Sequence, residues 1–215
     1  ETATNTLILG CQSTTIPNSI TSISDFAFEN CTGLVELSIP KSVTFIGEGA
    51  FACCGLTEIT IPSSVVEIGS AAFNSCQYLT QVTIEKGLTS IPDNAFSHCP
   101  NLYSVTIPNS ITSIHKFAFS GCYALKNITI PESVKELGLY DCSGLTEITC
   151  KAIIPPIASD GSFYSDGSFY NVNKSIPVYV PEESVEAYRS AKYWSEFTNI
   201  QAIKEPDVIA TSLTL

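Results

Sequence analysis

Apolar residues recur along this chain in a fixed order. Asn18 to Pro40 reads NSITSISDFAFENCTGLVELSIP, and Asn109 to Pro131 reads NSITSIHKFAFSGCYALKNITIP. Between them lie units 41–62, 63–85 and 86–108, so the period is 23 residues with one unit of 22, and a shortened sixth unit covers 132–150. Each unit opens on an apolar residue (Ile20, Val43, Val65, Leu88, Ile111, Val134), with a second three positions on (Ile23, Ile46, Ile68, Ile91, Ile114, Leu137). An Ala-Phe pair follows, from Ala27-Phe28 to Ala118-Phe119; the sixth unit has Leu139 and Tyr140 as candidates for that place. Then comes a Cys: Cys31, Cys54, Cys76, Cys99, Cys122, Cys142. Each unit ends on L-x-x-I-x-I, as in Leu34-Leu37-Ile39 or Leu125-Ile128-Ile130, and most close on Pro.

The terminal segment alternates with period two, which predicts a strand with Leu37 and Ile39 facing in and Glu36 and Ser38 facing out. One such unit cannot bury its own apolar face, but stacked units bury a continuous column and pair their strands at about 4.8 Å per coil. The Ala-Phe step fits a short helical or 3-10 turn, and Pro ends the strand. The fold class is therefore a repeat solenoid with a parallel β ladder, short helical or 3-10 turns and caps at both ends.

The flanks break the period. Residues 1–17 read as an N-terminal cap hairpin with Gly10-Cys11 at its turn, and 151–204 as a C-terminal cap. That second cap has a strand at Ile176–Pro181, a helix near Glu182–Tyr193 presenting Val185, Tyr188 and Ala191 or Lys192, and an apolar cluster of Trp194, Phe197, Ile200 and Ile203. Between them SDGSFYSDGSFY, residues 159–170, is a hexapeptide duplication that reads as a surface loop. It is either a slippage insertion or an adhesive aromatic loop carrying Phe163, Tyr164, Phe169 and Tyr170.

The phrase NS[IV]TSI…AF..C..L…TIP resembles the BspA-like leucine-rich repeats of bacterial surface proteins, closely over 18–150. The tail YVPEESVEAYRSAKYW resembles the closing segment of such arrays, and 205–215 resembles a linker or the start of an immunoglobulin-like domain. The resemblance implies a secreted or cell-surface protein of a host-associated bacterium, some of whose relatives adhere to host proteins or other cells. The chain has no Met and begins at Glu1, so it reads as a piece of a longer chain or as one whose leader was removed.

Charge narrows the partners. The net charge is -11, which opposes nucleic-acid binding. No run of about 18 apolar residues exists to span a bilayer. Charged residues are only 14% of the chain, so Ser, Thr and Asn must carry solubility.

Nine Cys raise the question of metal or disulfides, but six share one repeat position and read as a stacked column of buried thiols. Their expected spacing of about 4.8 Å is too long for a disulfide, which wants Cβ atoms about 3.8 Å apart, and no C-x-x-C spacing points to zinc. His98 and His115 fall at different repeat positions and read as surface variation. Glu36 and Glu58, on neighbouring coils about 5 Å apart, match the spacing of a retaining glycosidase pair. A flat ladder offers that pair no cleft, so no catalytic residue, cofactor or metal is assigned.

Two outward columns remain. The first, Glu36, Glu58, Gln81, Ser104, Asn127 and Glu147, varies in chemistry and suits recognition. The second, from Ser38 through Thr60, Thr83, Thr106, Thr129 and Thr149, suits strand stability. Tyr78, Tyr103 and Tyr123 lie on consecutive coils near the strand start, either as interface anchors or packed on the flank. The expected function is an extracellular or cell-surface binding and adhesion module, monomeric, taking a protein or glycan ligand on its strand face. The alternative is a structural spacer in a multidomain surface protein.

Overall fold

In a computed structural model the structure describes residues 5–7, 15–158 and 167–204. The chain winds as a parallel β solenoid of about eight turns with little helix. The long strands fall where the L-x-x-I-x-I pattern puts them: Glu58–Ile61, Gln81–Ile84, Ser104–Thr106, Asn127–Ile130 and Glu147–Cys150. Within them Ile59 and Ile61 are buried while Glu58 and Thr60 are exposed, as a strand with one wet face requires.

A second ladder runs on another side of the coil, built from two-residue strands that the sequence reading did not anticipate. Ser22–Ile23, Phe45–Ile46 and Glu67–Ile68 pair in parallel, as do Ser90–Ile91, Ser113–Ile114, Glu136–Leu137 and Ile157–Ala158. Thr6–Leu7 adds in parallel beside Ser22–Ile23; the expected Gly10-Cys11 turn lies outside the described residues. Strands of two residues leave almost no periodic trace, which is why only the second apolar position of each unit marked them.

The Ala-Phe segments are hydrogen-bonded turns. Two residues four apart in the turn have left-handed backbone: Phe26, Gly49, Ala71 and Asn94 just before Ala, then Asn30, Cys53, Ser75, His98, Gly121 and Asp141 just before Cys. Every second N–H of the turn points to the next coil: Phe26 donates to the Glu48 carbonyl at 2.8 Å, Phe28 to Ala50 at 2.7 Å and Asn30 to Ala52 at 2.8 Å. His98 therefore fills a place that demands positive φ, a conformation His, Asn and Gly tolerate better than bulkier residues.

Inside the turns, Phe28, Phe51, Phe73, Phe96 and Phe119 are fully buried and stack with centroids 5.0, 5.1, 5.3 and 5.7 Å apart. The template thiols bond the same column. The Cys54 thiol donates to the Phe28 carbonyl at 2.9 Å, Cys76 to Phe51 at 3.1 Å, Cys99 to Phe73 at 3.2 Å and Cys122 to Phe96 at 3.1 Å. Each thiol thus ties its coil to the preceding one and satisfies a carbonyl buried away from water. Cys31, at the head of the column, is only half-buried, as is Cys53 beside Cys54.

The solenoid does not stop at Cys150. Val178–Val180 pairs with Glu147–Cys150, and Ile200–Ala202 pairs with Val178–Val180, which adds a seventh and an eighth coil. The reading of 159–170 as one surface loop is corrected for residues 167–170; residues 159–166 lie outside the described residues. Gly167-Ser168-Phe169-Tyr170-Asn171-Val172 takes the place that Gly49-Ala50-Phe51-Ala52-Cys53-Cys54 takes in the second coil. Gly167 and Asn171 have the same positive φ as Gly49 and Cys53, and Ser168 and Phe169 are buried. Leu139 fills the Phe place of the sixth coil and donates to the Ser168 carbonyl at 2.8 Å. Phe169 then meets Trp194 and Phe197 edge-on at 4.7 and 5.1 Å.

The eighth coil replaces the turn with a helix, α1, Val185–Ser190, which buries Tyr188. The Tyr188 hydroxyl donates to the Ala152 carbonyl at 2.8 Å and the Trp194 indole N–H to the Pro156 carbonyl at 2.9 Å. Both polar tips therefore reach partners inside an apolar cluster.

Candidate functional site

Neither ladder is continuous. The long strands form one sheet over coils two to four and another over coils five to eight, and the short strands divide between coils three and four. Where one ladder opens, the other stays paired: Ser22–Ile23 bonds Phe45–Ile46 beneath the gap between coils one and two, and Ser90–Ile91 bonds Ser113–Ile114 beneath the gap between coils four and five.

This splits the variable outward column. Glu58, Gln81 and Ser104 stand in register on adjacent strands, and Asn127 and Glu147 in register on the next sheet. Glu58, Gln81 and Asn127 are exposed; Ser104 and Glu147 are half-exposed. The regular spacing expected over six coils therefore holds only within each sheet. Glu36 is exposed but lies in no strand, so it has no ladder register with Glu58.

Tyr78, Tyr103 and Tyr123 are 63%, 52% and 52% exposed, so each ring leaves about half of its surface open to a partner. They occupy three different positions relative to Leu79, Leu102 and Leu125, so the rings form a staggered row. His115 Nδ1 lies 3.6 Å from Asp93 Oδ2 at the surface. Among the described residues no cluster of three or more His, Cys, Asp or Glu side chains is arranged to hold a metal ion, and no helix is long and apolar enough to cross a membrane.

The expectation of a flat ladder without a cleft is corrected. A groove of about 660 Å³ lies between coils one and two, lined by Glu36–Lys41, Glu58–Thr60, Pro62 and Glu85. In the described residues no backbone hydrogen bond joins Glu36–Pro40 to Glu58–Ile61; Thr57 still donates to the Val35 carbonyl at 3.1 Å just before the gap. The gap falls where the second coil is one residue short, with Cys54-Gly55-Leu56 in place of the usual Cys-x-x-Leu. Gly55 packs so closely on the Thr32 carbonyl that a Cβ there would clash. That missing residue was the one mark of the groove in the sequence. A smaller groove of about 320 Å³, lined by Val66–Ile68, Thr89, Ser90, Pro92 and His115, marks the gap in the short ladder.

The chain is similar to a leucine-rich repeat protein of Eubacterium ventriosum in crystal structure, with 24% identity and a TM-score of 0.50 over 71% of this chain and 45% of that one. It is also similar to a leucine rich cell surface protein of Faecalibacterium prausnitzii, at 23% identity and a TM-score of 0.35 over 89% and 59% of the two chains. The pneumococcal vaccine antigen PcpA matches at 18% identity and a TM-score of 0.42, over 88% of this chain and 67% of that one. The chain thus spans less than half of the Eubacterium protein it matches. No protein of curated function matches the sequence. The BspA type leucine rich repeat region matches in six copies across residues 8–109 and 89–210. With that match running through nearly the whole solenoid, this chain belongs to the BspA-type leucine-rich repeat family.

Proposed function

We propose that this chain is a binding module of a bacterial surface protein, which recognises a protein or extended glycan through the outward face of its long strands. One observation carries the reading: Glu58, Gln81 and Ser104 vary in chemistry while standing in register, whereas the inward residues beside them are uniformly aliphatic, Ile59, Ile61, Val82 and Ile84 buried and Val105 and Ile107 partly buried. Packing consumes the inward positions, so surface variation is free to serve recognition. The exposed Tyr78, Tyr103 and Tyr123 add aromatic area of the kind that anchors interfaces. Supporting the surface location, one similar structure is described as a cell surface protein and another as a vaccine antigen. The face is open and built of backbone-supported rows, which suits a large partner better than a metabolite or a reaction needing an enclosed pocket.

The test starts from an array of host matrix proteins and glycans probed with the whole chain. For a partner so found, changing Glu58, Gln81 and Tyr103 together to Ala lowers affinity at least tenfold and leaves the fold intact. Unchanged affinity in that variant places recognition elsewhere, and a chain that captures nothing on the array favours the spacer.

A further inference from the structure

The groove between coils one and two is walled by peptide groups that a ladder would normally use. The Ile61 carbonyl accepts from Glu85 N–H at 2.9 Å, so residue 61 faces the third coil. Peptide groups alternate sides along a strand, so those of Glu58 and Thr60 face the first coil. There they find no backbone partner among the described residues. An unpaired strand edge of this kind is a template for another extended chain.

The groove follows five residues, Glu36–Pro40, which span about 16 Å of extended chain at about 3.3 Å each. Charge chooses the guest. Glu36, Glu58 and Glu85 line the groove against Lys41 alone. A second copy of this chain would bring its own Glu58 edge against these carboxylates, and its net charge of -11 opposes the approach.

We propose that this groove binds an extended, basic segment of a partner protein, which pairs its backbone with the Glu58–Ile61 edge and sets Lys or Arg side chains beside Glu36 and Glu58. This deepens the binding-module reading, because it names a peptide as the ligand and a strand edge as the contact.

The probe is an acetylated, amidated peptide of sequence Lys-Val-Lys-Val-Lys-Val, with Glu-Val-Glu-Val-Glu-Val as control, added to the whole chain. The basic peptide slows exchange of the Thr60 amide at least tenfold, and its affinity falls at least fivefold between low salt and 0.5 M salt; the acidic peptide does neither. Thr60→Pro deletes the N–H on the groove side while sparing the bonds to the third coil, so it abolishes binding with the fold kept. Glu36→Gln with Glu58→Gln keeps the edge and weakens binding at least fivefold. Equal binding of the acidic peptide, full binding by a folded Thr60→Pro variant, or a Thr60 amide already protected in the free protein each overturns the proposal. An array partner insensitive to Thr60→Pro but lost in the triple Ala variant sinks the groove and leaves the outward-face reading standing. An empty array leaves the peptide result to decide the groove alone.

Discussion

A chain ending at Cys150 will aggregate or lose its cooperative unfolding transition. The sixth coil buries Leu139, Cys142, Leu145 and Ile148. Coils seven and eight lie over it, through Phe169, Val172, Val178, Tyr188, Trp194 and Phe197, all buried. In a solenoid each coil is stabilised through its interfaces with its neighbours, so removing the last two strips one whole interface and wets the end of the core. Full burial of one large apolar side chain contributes about 1.5–3 kcal/mol, and exposing the end face affects several at once. Total stabilities of about 5–15 kcal/mol leave little after such a loss. A single change within the whole chain tests the same point more gently. Trp194→Ala removes a fully buried ring and the hydrogen bond to the Pro156 carbonyl, and should cost about 3–5 kcal/mol. Calorimetry and sedimentation of both variants check this. A truncated chain that stays monomeric with unchanged melting would show that 151–204 closes nothing.

Alkaline pH will destabilise the fold through its buried thiols. Burial raises the Cys122 thiol to about 12 from an ordinary 9.0, and burial likewise pushes Cys54 and Cys142 up. A raised thiol is held neutral by the fold, so below pH 9 both states are neutral and the contribution is complete. Above pH 9 the unfolded chain releases these protons and the folded chain does not. Stability then falls as pH rises, until the folded pKa is reached. Each such thiol withdraws about 1.4 kcal/mol per pH unit, so three withdraw about 4 kcal/mol per unit. Guanidinium midpoints at pH 8, 9 and 10 should drop steeply over the last step, and Cys122→Ala should make that fall shallower. Midpoints flat from pH 8 to 10.5 would mean that the thiols are wet.

Much of this architecture was written in the period. The Ala-Phe pair, the Cys and the L-x-x-I-x-I run each recur because each packs on its own copy one coil away. The short strands were hidden, since two residues carry too little alternation to stand out. The seventh coil was hidden in a different way. GSFYNV satisfies the turn template with Ser for Ala and Val for Cys, and both are small enough for the places they fill. Duplication beside an identical copy made that segment look like a loop. The helix near 182–193 was legible from the spacing of Val185 and Tyr188, and it spans Val185–Ser190. The outward column was legible as a list of residues, yet its division into two sheets was not, because alternation along one strand says nothing about pairing with the next. The groove arises from pairing that fails at one place, and only the missing residue beside Gly55 hinted at it.

The claim on which the rest depends is that equivalent positions of successive coils stack into one internal column. Thiol labelling of the native protein, mapped by peptide, tests it most directly. Of nine cysteines, Cys54, Cys76, Cys99, Cys122, Cys142 and Cys150 are buried. These six should remain reduced and unlabelled until denaturant is added, then react completely, while the half-buried Cys31 and Cys53 react in the native state. Prompt labelling of Cys76, Cys99 and Cys122 in the folded protein, or disulfides between successive members of the column, would contradict the stacked solenoid.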